Sequence, residues 1–461
     1  MILRIPYTLS TVSNFLLIFL LLIITSLYIF GLGNVFVKLV FSKNDSEENK
    51  EEWLNSLAFT FLFGILMNYL LILIFQSIRT SFYIGSIISF FGFLLLINKL
   101  FITKTKPKID QYEIYKLVGS LFILFLFFSP ILAEPLADWD ARSIWFFHAK
   151  MIFSSGTIGE SAGWTHASVG FSHPDYPKLV PALAGQISHI VGFWNEYLPK
   201  ISILILFIPI TIWIMTFAKN SLSFLFLVIT IPLGFYPWIW NGYMDGLLAI
   251  YVSIALLLMG RYFLKSQKID LISVFLILFV IINIKNEGVL ASIAILFIFI
   301  IIHLISKKID VLIYFSTTKR YFLFGLISLL PFLLWNFYKS QWGLTNDLAI
   351  GLSQTIQNIF NRLQDGSYLT ILSRSYSEMG GWLLILGLLL FASVLRNKTP
   401  DKAVFFPLLS TLIVFLGIFS VYLFTPNDLI WHLDTSISRT MLPINGGIIV
   451  ASYYLIEIIQ A

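Results

Sequence analysis

Thirteen apolar stretches, each closed by charged residues or by Pro and Gly, divide this chain: 11–32, 54–76, 81–101, 114–133, 199–217, 221–237, 243–260, 270–284, 288–305, 321–338, 381–395, 403–423 and 441–457. At 1.5 Å of rise per residue, about twenty apolar residues cross the roughly 30 Å hydrocarbon layer of a bilayer. Lipid offers the backbone no hydrogen-bond partner, so each stretch is predicted to be a helix. The expected fold is an all-α membrane protein of about 13 transmembrane helices. The stretch 221–237 holds Pro232 and is the most weakly bounded of the set. The first stretch is too long for a signal-peptide core and shows no small-residue cleavage site, so it is read as a retained helix.

Two polar interludes break this pattern. Residues 134–200 are rich in Asp, His, Trp and Pro, and 339–379 carry Arg362, Asp365, Arg374 and Glu378. Three sections follow from the pattern: N-terminal transmembrane helices over 1–113, a core over 114–305 with the loop 134–200, and C-terminal transmembrane helices over 306–461 with the loop 339–379. No repeat of fixed period, low-complexity tract or appended soluble domain is visible.

Composition agrees with the pattern. With 58% hydrophobic and 12% charged residues over 461 positions, the apolar side chains exceed what one water-soluble core can hold. Cysteine is absent, which excludes disulfides and thiolate metal sites and leaves packing to hold the loops. The net charge of +6 lies in short loops and implies topology rather than a nucleic-acid partner. Lys and Arg collect at Lys99, Lys104, Lys106, Lys108 and Lys116; at Arg261, Lys265 and Lys268; at Lys307, Lys308, Lys319 and Arg320; and at Arg396, Lys398 and Lys402. With thirteen spans these four loops share the cytoplasmic side, as does 33–53 with Lys38, Lys43 and Lys50. The loop 134–200 and the N-terminus then lie outside and the C-terminus inside. Asp138, Asp140, His173, Asp175, Asp245, Lys285, Glu287, Asp428, His432 and Arg439 all map to that outer face.

Chemistry is expected among these residues. Asp140 opens a short helix predicted to lie in the membrane interface: Asp140, Ser143, Lys150 and Ser154 share a narrow arc, while Trp145, Phe146, Ala149, Ile152 and Phe153 cover much of the rest. The positive end of that helix favours negative charge, which suits a group that takes a proton from a hydroxyl. The plainer alternative is that Asp138 or Asp140 caps the helix. His173-Pro174-Asp175-Tyr176-Pro177-Lys178, with Pro181 beyond, stiffens the backbone and folds back on the membrane; His173 or Asp175 binds a metal or a substrate hydroxyl, or Asp175 holds a turn. Asn241-Gly242-Tyr243-Met244-Asp245 opens one helix, and Lys285-Asn286-Glu287-Gly288 joins two others. Ionisable groups at such depth are costly, and Lys285 and Glu287 either neutralise one another or meet substrate. Arg439, after Trp431-His432-Leu433-Asp434, stands where a guanidinium can grip a lipid phosphate or snorkel to the interface. Trp139, Trp145, Trp164, Trp194, Trp238, Trp240 and Trp431 read as an interfacial belt.

In motifs and layout the chain resembles the GT-C superfamily of polytopic glycosyltransferases, which includes the protein O-mannosyltransferases and the aminoarabinose transferases of lipid A. The likeness rests on Asp140-Ala141-Arg142 running through Lys150 to Ser155-Gly156, on His173 through Pro181, and on Trp431 to Arg439. It covers residues 114 to 305 and little of the C-terminal third. Two features depart from the family: helices precede the span before the large loop, and Ala141 stands where several members carry Glu, with the second acid at Asp138.

The resemblance implies a GT-C-like fold, with interfacial helices on the large external loop, and an inverting glycosyltransferase. Such an enzyme moves a hexosyl or pentosyl unit from a polyprenyl-phosphate carrier to a hydroxyl on a glycan, lipid or protein. Asp140 is the implied base, with Asp138 as the other candidate. Arg142, His173, Asp175, Asp245, Lys285, Glu287, His432 and Arg439 are the implied substrate-binding residues. Arg439 with Lys285 or Arg142 would meet the departing phosphate, or a divalent metal (Mg or Mn) on Asp138, His173 or Asp175 would do so instead. Expected partners are the lipid-linked sugar, its acceptor and membrane lipids, in a bacterial plasma membrane with the site facing the periplasm or exterior. The alternatives are a surface-polysaccharide polymerase or ligase, for which 339–379 would be the catalytic loop, and a transporter or flippase for lipid-linked sugars.

Overall fold

A chain with this apolar pattern satisfies its backbone by local hydrogen bonds, and the computed structural model, which describes residues 11–40, 53–98, 111–133, 136–218, 221–305, 319–346 and 351–461, is predominantly helical over them. Eleven helical segments among them are long and apolar enough to cross a membrane. Two of the expected spans form shorter helices, 15 residues from Ser221 to Phe235 and 14 from Lys268 to Ile281. Lys43, Lys50, Lys99, Lys104, Lys106, Lys108, Lys307 and Lys308 lie outside the described residues.

The chain divides into two units whose boundaries differ from a division at 114 and 306. The first comprises 1–216, 240–243 and 310–344. Its helices are α1 (Thr11–Val40), α2 (Trp53–Phe75), α3 (Ile78–Ile97), α4 (Gln111–Ala133), α5 (Phe146–Ser155), α6 (Leu179–Val191), α7 (Ile201–Thr216) and, from later in the chain, the helix Lys319–Gln341. Helices α2 and α7 are its buried centre, with α1, α4, α6 and Lys319–Gln341 packed around them. Small residues let α1 and α2 approach closely: a Cβ on Gly64 would strike the carbonyl of Ile29, and one on Gly33 that of Thr60. Between helices whose lipid surroundings are as apolar as their own side chains, such close approach supplies the dispersion contacts that drive association. The corner between α2 and α3 also holds the loop. Ile78 N donates to Gly156 O and Ile158 N to Gln76 O, both at 3.1 Å, where α5 ends at left-handed Gly156.

The second unit comprises 217–239, 244–309 and 345–461. It contains α8 (Ser221–Phe235), α9 (Met244–Lys265), α10 (Lys268–Ile281) and α11 (Glu287–Ile305); with Lys319–Gln341 numbered α12, there follow α13 (Leu352–Gln364), α14 (Ser367–Leu395), α15 (Lys402–Phe424), α16 (Leu429–Thr440) and α17 (Leu442–Gln460). Helices α9 and α17 are buried almost throughout and pack on each other, on α8 and on α15. In contrast, α14 exposes Leu384, Leu388, Phe391 and Leu395 at spacings of three and four residues, the stripe expected of a helix solvated by lipid.

Some polar and aromatic residues stand elsewhere than the pattern suggested. Arg261, grouped with a basic loop, is buried on α9 and forms a two-pronged ion pair with buried Asp270 of α10, at 2.7 and 2.9 Å, under the ring of Phe217. Lys116 is likewise buried, over the ring of Tyr112. Trp145 and Trp164 are core residues rather than members of an interfacial belt, whereas Trp139 and Trp431 are exposed. The segment 339–379 is largely helical, and α14 begins at Ser367, ahead of the apolar run at 381.

Candidate functional site

Asp138, Asp140, Arg142, His173 and Asp175 belong to the first unit; Asp245, Lys285, Glu287, His432 and Arg439 belong to the second.

In the first unit the predicted helix after Asp140 forms, and its first turn is wide. Ala141–Trp145 adopt π-helical geometry, with Phe146 N bonded back to Ala141 O, a distortion frequent at functional sites. Trp145, Phe146, Ala149 and Ile152 are buried while Lys150 and Ser154 are exposed, as the arc requires. Asp140 is half-buried and makes no capping hydrogen bond with its side chain. A second segment grips this turn. Asn241 Nδ2 donates to Asp138 Oδ2 at 2.8 Å, Tyr243 N donates to Asn241 Oδ1 at 3.1 Å, and the Tyr243 hydroxyl accepts from Asp140 N at 3.3 Å. Gly242 lies between them with φ +90°, and a Cβ there would collide with Ala141 and Leu136. Asn241-Gly242-Tyr243 is therefore a clasp on Asp138–Asp140, with glycine needed for both the turn and the approach. Arg142 is exposed.

His173 and Asp175 do not join that acidic turn into a metal site. No group of three His, Asp or Glu placed to hold a metal ion occurs among the described residues, so the trio Asp138, His173 and Asp175 does not fit a resident divalent ion. His173 instead has φ +53° and stacks on Tyr176 at 4.9 Å, and Tyr176 N donates to His173 O, closing a turn. Asp175 is buried, and its carbonyl accepts from Trp335 Nε1 at 3.2 Å. Its charge lies close enough to act on Lys178.

Lys178, part of the motif but not singled out by it, is the centre of this region. It is fully buried, with Nζ 4.5 Å from the Trp164 ring centre and 5.0 Å from that of Trp335. Nζ donates to Pro174 O at 2.9 Å and lies 3.0 Å from His148 Nδ1, and His148 Nε2 lies 3.0 Å from Ser172 Oγ. Ser172 Oγ donates onward to Val169 O at 2.7 Å. One assignment satisfies every atom: the lysine donates to Nδ1 of a neutral imidazole, whose Nε2–H donates to the serine. Burial pushes both groups well below their usual values; for His148 the Lys178 and His173 charges add to this, and for Lys178 the Asp175 charge opposes it. In a chain without disulfides, this caged lysine ties 148, 164, 172 and 178 to α12.

In the second unit Lys285 joins two helix starts. Its Nζ lies 2.6 Å from Asp245 Oδ1 in the first turn of α9 and 2.8 Å from Glu287 Oε1 at the start of α11. The expected pairing of Lys285 with Glu287 forms, and Asp245 is a second acid on the same lysine. Arg439, in the last turn of α16, has Nη1 3.9 Å from Asp245 Oδ2, beyond direct hydrogen bonding. A cavity of about 20 Å³, lined by Asp245, Glu287, Arg439 and Thr440 with apolar residues of α9, α11 and α15, adjoins the cluster and has room for about one water. His432 stands apart from this cavity, with its ring against Tyr422 at 4.9 Å.

Comparison with protein-family models, with curated proteins and with solved structures finds no match.

Proposed function

We propose that this chain is an inverting glycosyltransferase of the GT-C kind, moving a sugar from a polyprenyl-phosphate carrier to a hydroxyl of a glycan, lipid or protein at the outer face of a bacterial plasma membrane. The reading is carried by the acidic turn. Asp140 stands half-buried at the start of a helix, while Asn241 and Tyr243 hold that turn from far along the chain. In this reading the acceptor oxygen bonds to the anomeric carbon opposite the phosphate, and Asp140 takes its proton within about 3 Å. The bond from that carbon to the phosphate oxygen breaks, and its electron pair leaves with polyprenyl phosphate. Positive charge builds on the ring meanwhile, and the Asp138 carboxylate favours it. Arg142, exposed two residues beyond Asp140, is assigned to the lipid phosphate, to which a guanidinium presents paired donors.

Purified protein in liposomes with a radiolabelled polyprenyl-phosphate sugar tests this. Wild type is expected to consume the carrier and Asp140→Asn to lose roughly 10²–10⁴-fold in rate. Absence of consumption by wild type, or equal rates for the variant, sinks the reading. One observation favours a transporter instead: the buried pair Asp245 and Lys285 is flanked by Glu287 of α11 and Arg439 of α16, as ionisable groups are along a substrate path. That reading predicts carrier flux across the bilayer, lost in Asp245→Asn and retained in Asp140→Asn.

A further inference from the structure

Helix α13, Leu352–Gln364, has one polar and one apolar face. At 100° per residue Leu352, Ile356, Ile359, Phe360 and Leu363 fall within an arc of about 100°. None of its residues is buried, and Leu352, Ile356, Phe360 and Leu363 are 76%, 46%, 58% and 48% exposed. In water that face would be a costly apolar patch.

The opposite face is fastened to the end of a membrane-length helix. Asn358 Nδ2 donates to Phe424 O at 3.0 Å and to Thr425 O at 3.3 Å. The Arg362 guanidinium donates to Tyr422 O, to Thr425 O at 3.0 Å and to Asn427 O at 3.2 Å. Since α15 ends at Phe424, the Tyr422 and Phe424 oxygens are carbonyls that a helix C-terminus leaves unsatisfied, at the negative end of its dipole, and the Thr425 and Asn427 oxygens follow directly after it. At its own end α13 turns sharply through Asp365 and left-handed Gly366 into α14, with Asp365 Oδ1 accepting from Ser367 N at 2.8 Å. Helix α13 therefore sits where one candidate span ends and the next begins. Its apolar face is followed along the chain by Leu369, Leu372 and Tyr376, exposed on the first turns of α14.

We infer that α13 lies along the bilayer surface, with Leu352, Ile356, Phe360 and Leu363 immersed at the boundary between headgroups and acyl chains. A helix of this kind buries its apolar face about 5–10 Å into that boundary. The charge pattern specifies the lipid. Arg362 is the one charged residue between Leu352 and Gln364, and it is engaged by backbone carbonyls, so the face is matched to neutral, zwitterionic lipid and carries no basic residue for an anionic surface. This inference is independent of any catalytic reading, since it uses none of the acidic turn.

The chain has no cysteine, so Phe360→Cys and, on the polar face, Gln354→Cys each give one labelling site; both positions are exposed. Each is labelled with bimane in phosphatidylcholine nanodiscs after size exclusion shows a monodisperse protein, and Leu352→Cys replaces Phe360→Cys should the latter aggregate. The apolar-face label is expected to be quenched several-fold more strongly by nitroxide on the lipid acyl chain than the Gln354→Cys label, and iodide in the buffer is expected to reverse that order. Replacing part of the lipid by phosphatidylglycerol is expected to change neither. Equal quenching at the two faces, or shielding of the apolar face from both quenchers with cross-linking to a second copy, overturns the inference. Apolar-face quenching that appears only with anionic lipid overturns it too.

Discussion

Asn241 reaches Asp138 across 103 positions of sequence, so its removal should act on the acidic turn more than on the fold. Asp138 is exposed, and water replaces the lost donor, which limits the stability cost of Asn241→Ala to about 1 kcal/mol or less. Carrier consumption should nevertheless fall, because the turn presenting Asp140 loses one of its two ties; turnover in liposomes and thermal unfolding in detergent measure the two effects side by side. Lys178→Met is predicted to do the opposite. It takes the amine from between two indole rings and leaves Pro174 O and His148 Nδ1 without their donor, a change that costs roughly 1–3 kcal/mol where a buried polar partner is left unsatisfied. The expected result is a lowered unfolding midpoint and faster proteolysis within 134–200. Neither role was legible from the sequence. The Asp138–Asp140 and His173–Lys178 motifs stood out because polar residues are rare in this chain, but their partners Asn241 and Trp335 come from far along it, and no local spacing marks a contact made by folding.

Helices were legible where apolar runs were long, as in α2, α9, α11 and α15, because burial and lipid solvation both select the same residues. The start of α14 was not. Between Ser367 and Met379 its apolar positions, Leu369, Leu372 and Tyr376, recur at helical spacing but alternate with Ser, Arg and Glu, so the average polarity there resembles a loop while the periodicity is that of a helix. The joint among α9, α11 and the turn after α10 was half legible: Lys285 and Glu287 were seen as a pair, and Asp245, 40 residues earlier, was not placed with them. Burial alone would lower the Lys285 ammonium, but the Asp245 and Glu287 carboxylates outweigh it and hold the group up at about 12. An unfolded lysine titrates near 10.4. With the folded value higher, this contribution to stability is fully present below about pH 10 and is lost as pH rises through about 12. Wild type should therefore exceed Lys285→Met in unfolding free energy by a constant margin from neutral pH to about pH 10, and the margin should shrink above it. Denaturant titrations of the two proteins at matched pH check this, and a margin that grows with alkalinity would contradict it.

Orientation in the membrane depends on which cations face water, and burial changes that tally. Of the four basic residues between 136 and 200, Lys178 lies in its aromatic cage and Lys200 is buried over the ring of Tyr197. Only Arg142 and Lys150 remain exposed there, beside the exposed acids Asp138, Glu160 and Glu196. The basic loops lose members as well, since Arg261 and Lys116 are buried. Lys265 and Lys268 remain exposed in one such loop, as do Lys319 in the second and Arg396 and Lys402 in the third. Positive charge held near span ends keeps a loop cytoplasmic. On the thirteen-span reading, 136–200 is expected outside and 265–268 inside. With no native cysteine to confuse the readout, Ser155→Cys should react with a membrane-impermeant maleimide in intact cells, and Lys265→Cys should react only once the membrane is opened. Labelling in the reverse order would place the acidic turn on the cytoplasmic side, where a sugar carried on the outer leaflet cannot reach it.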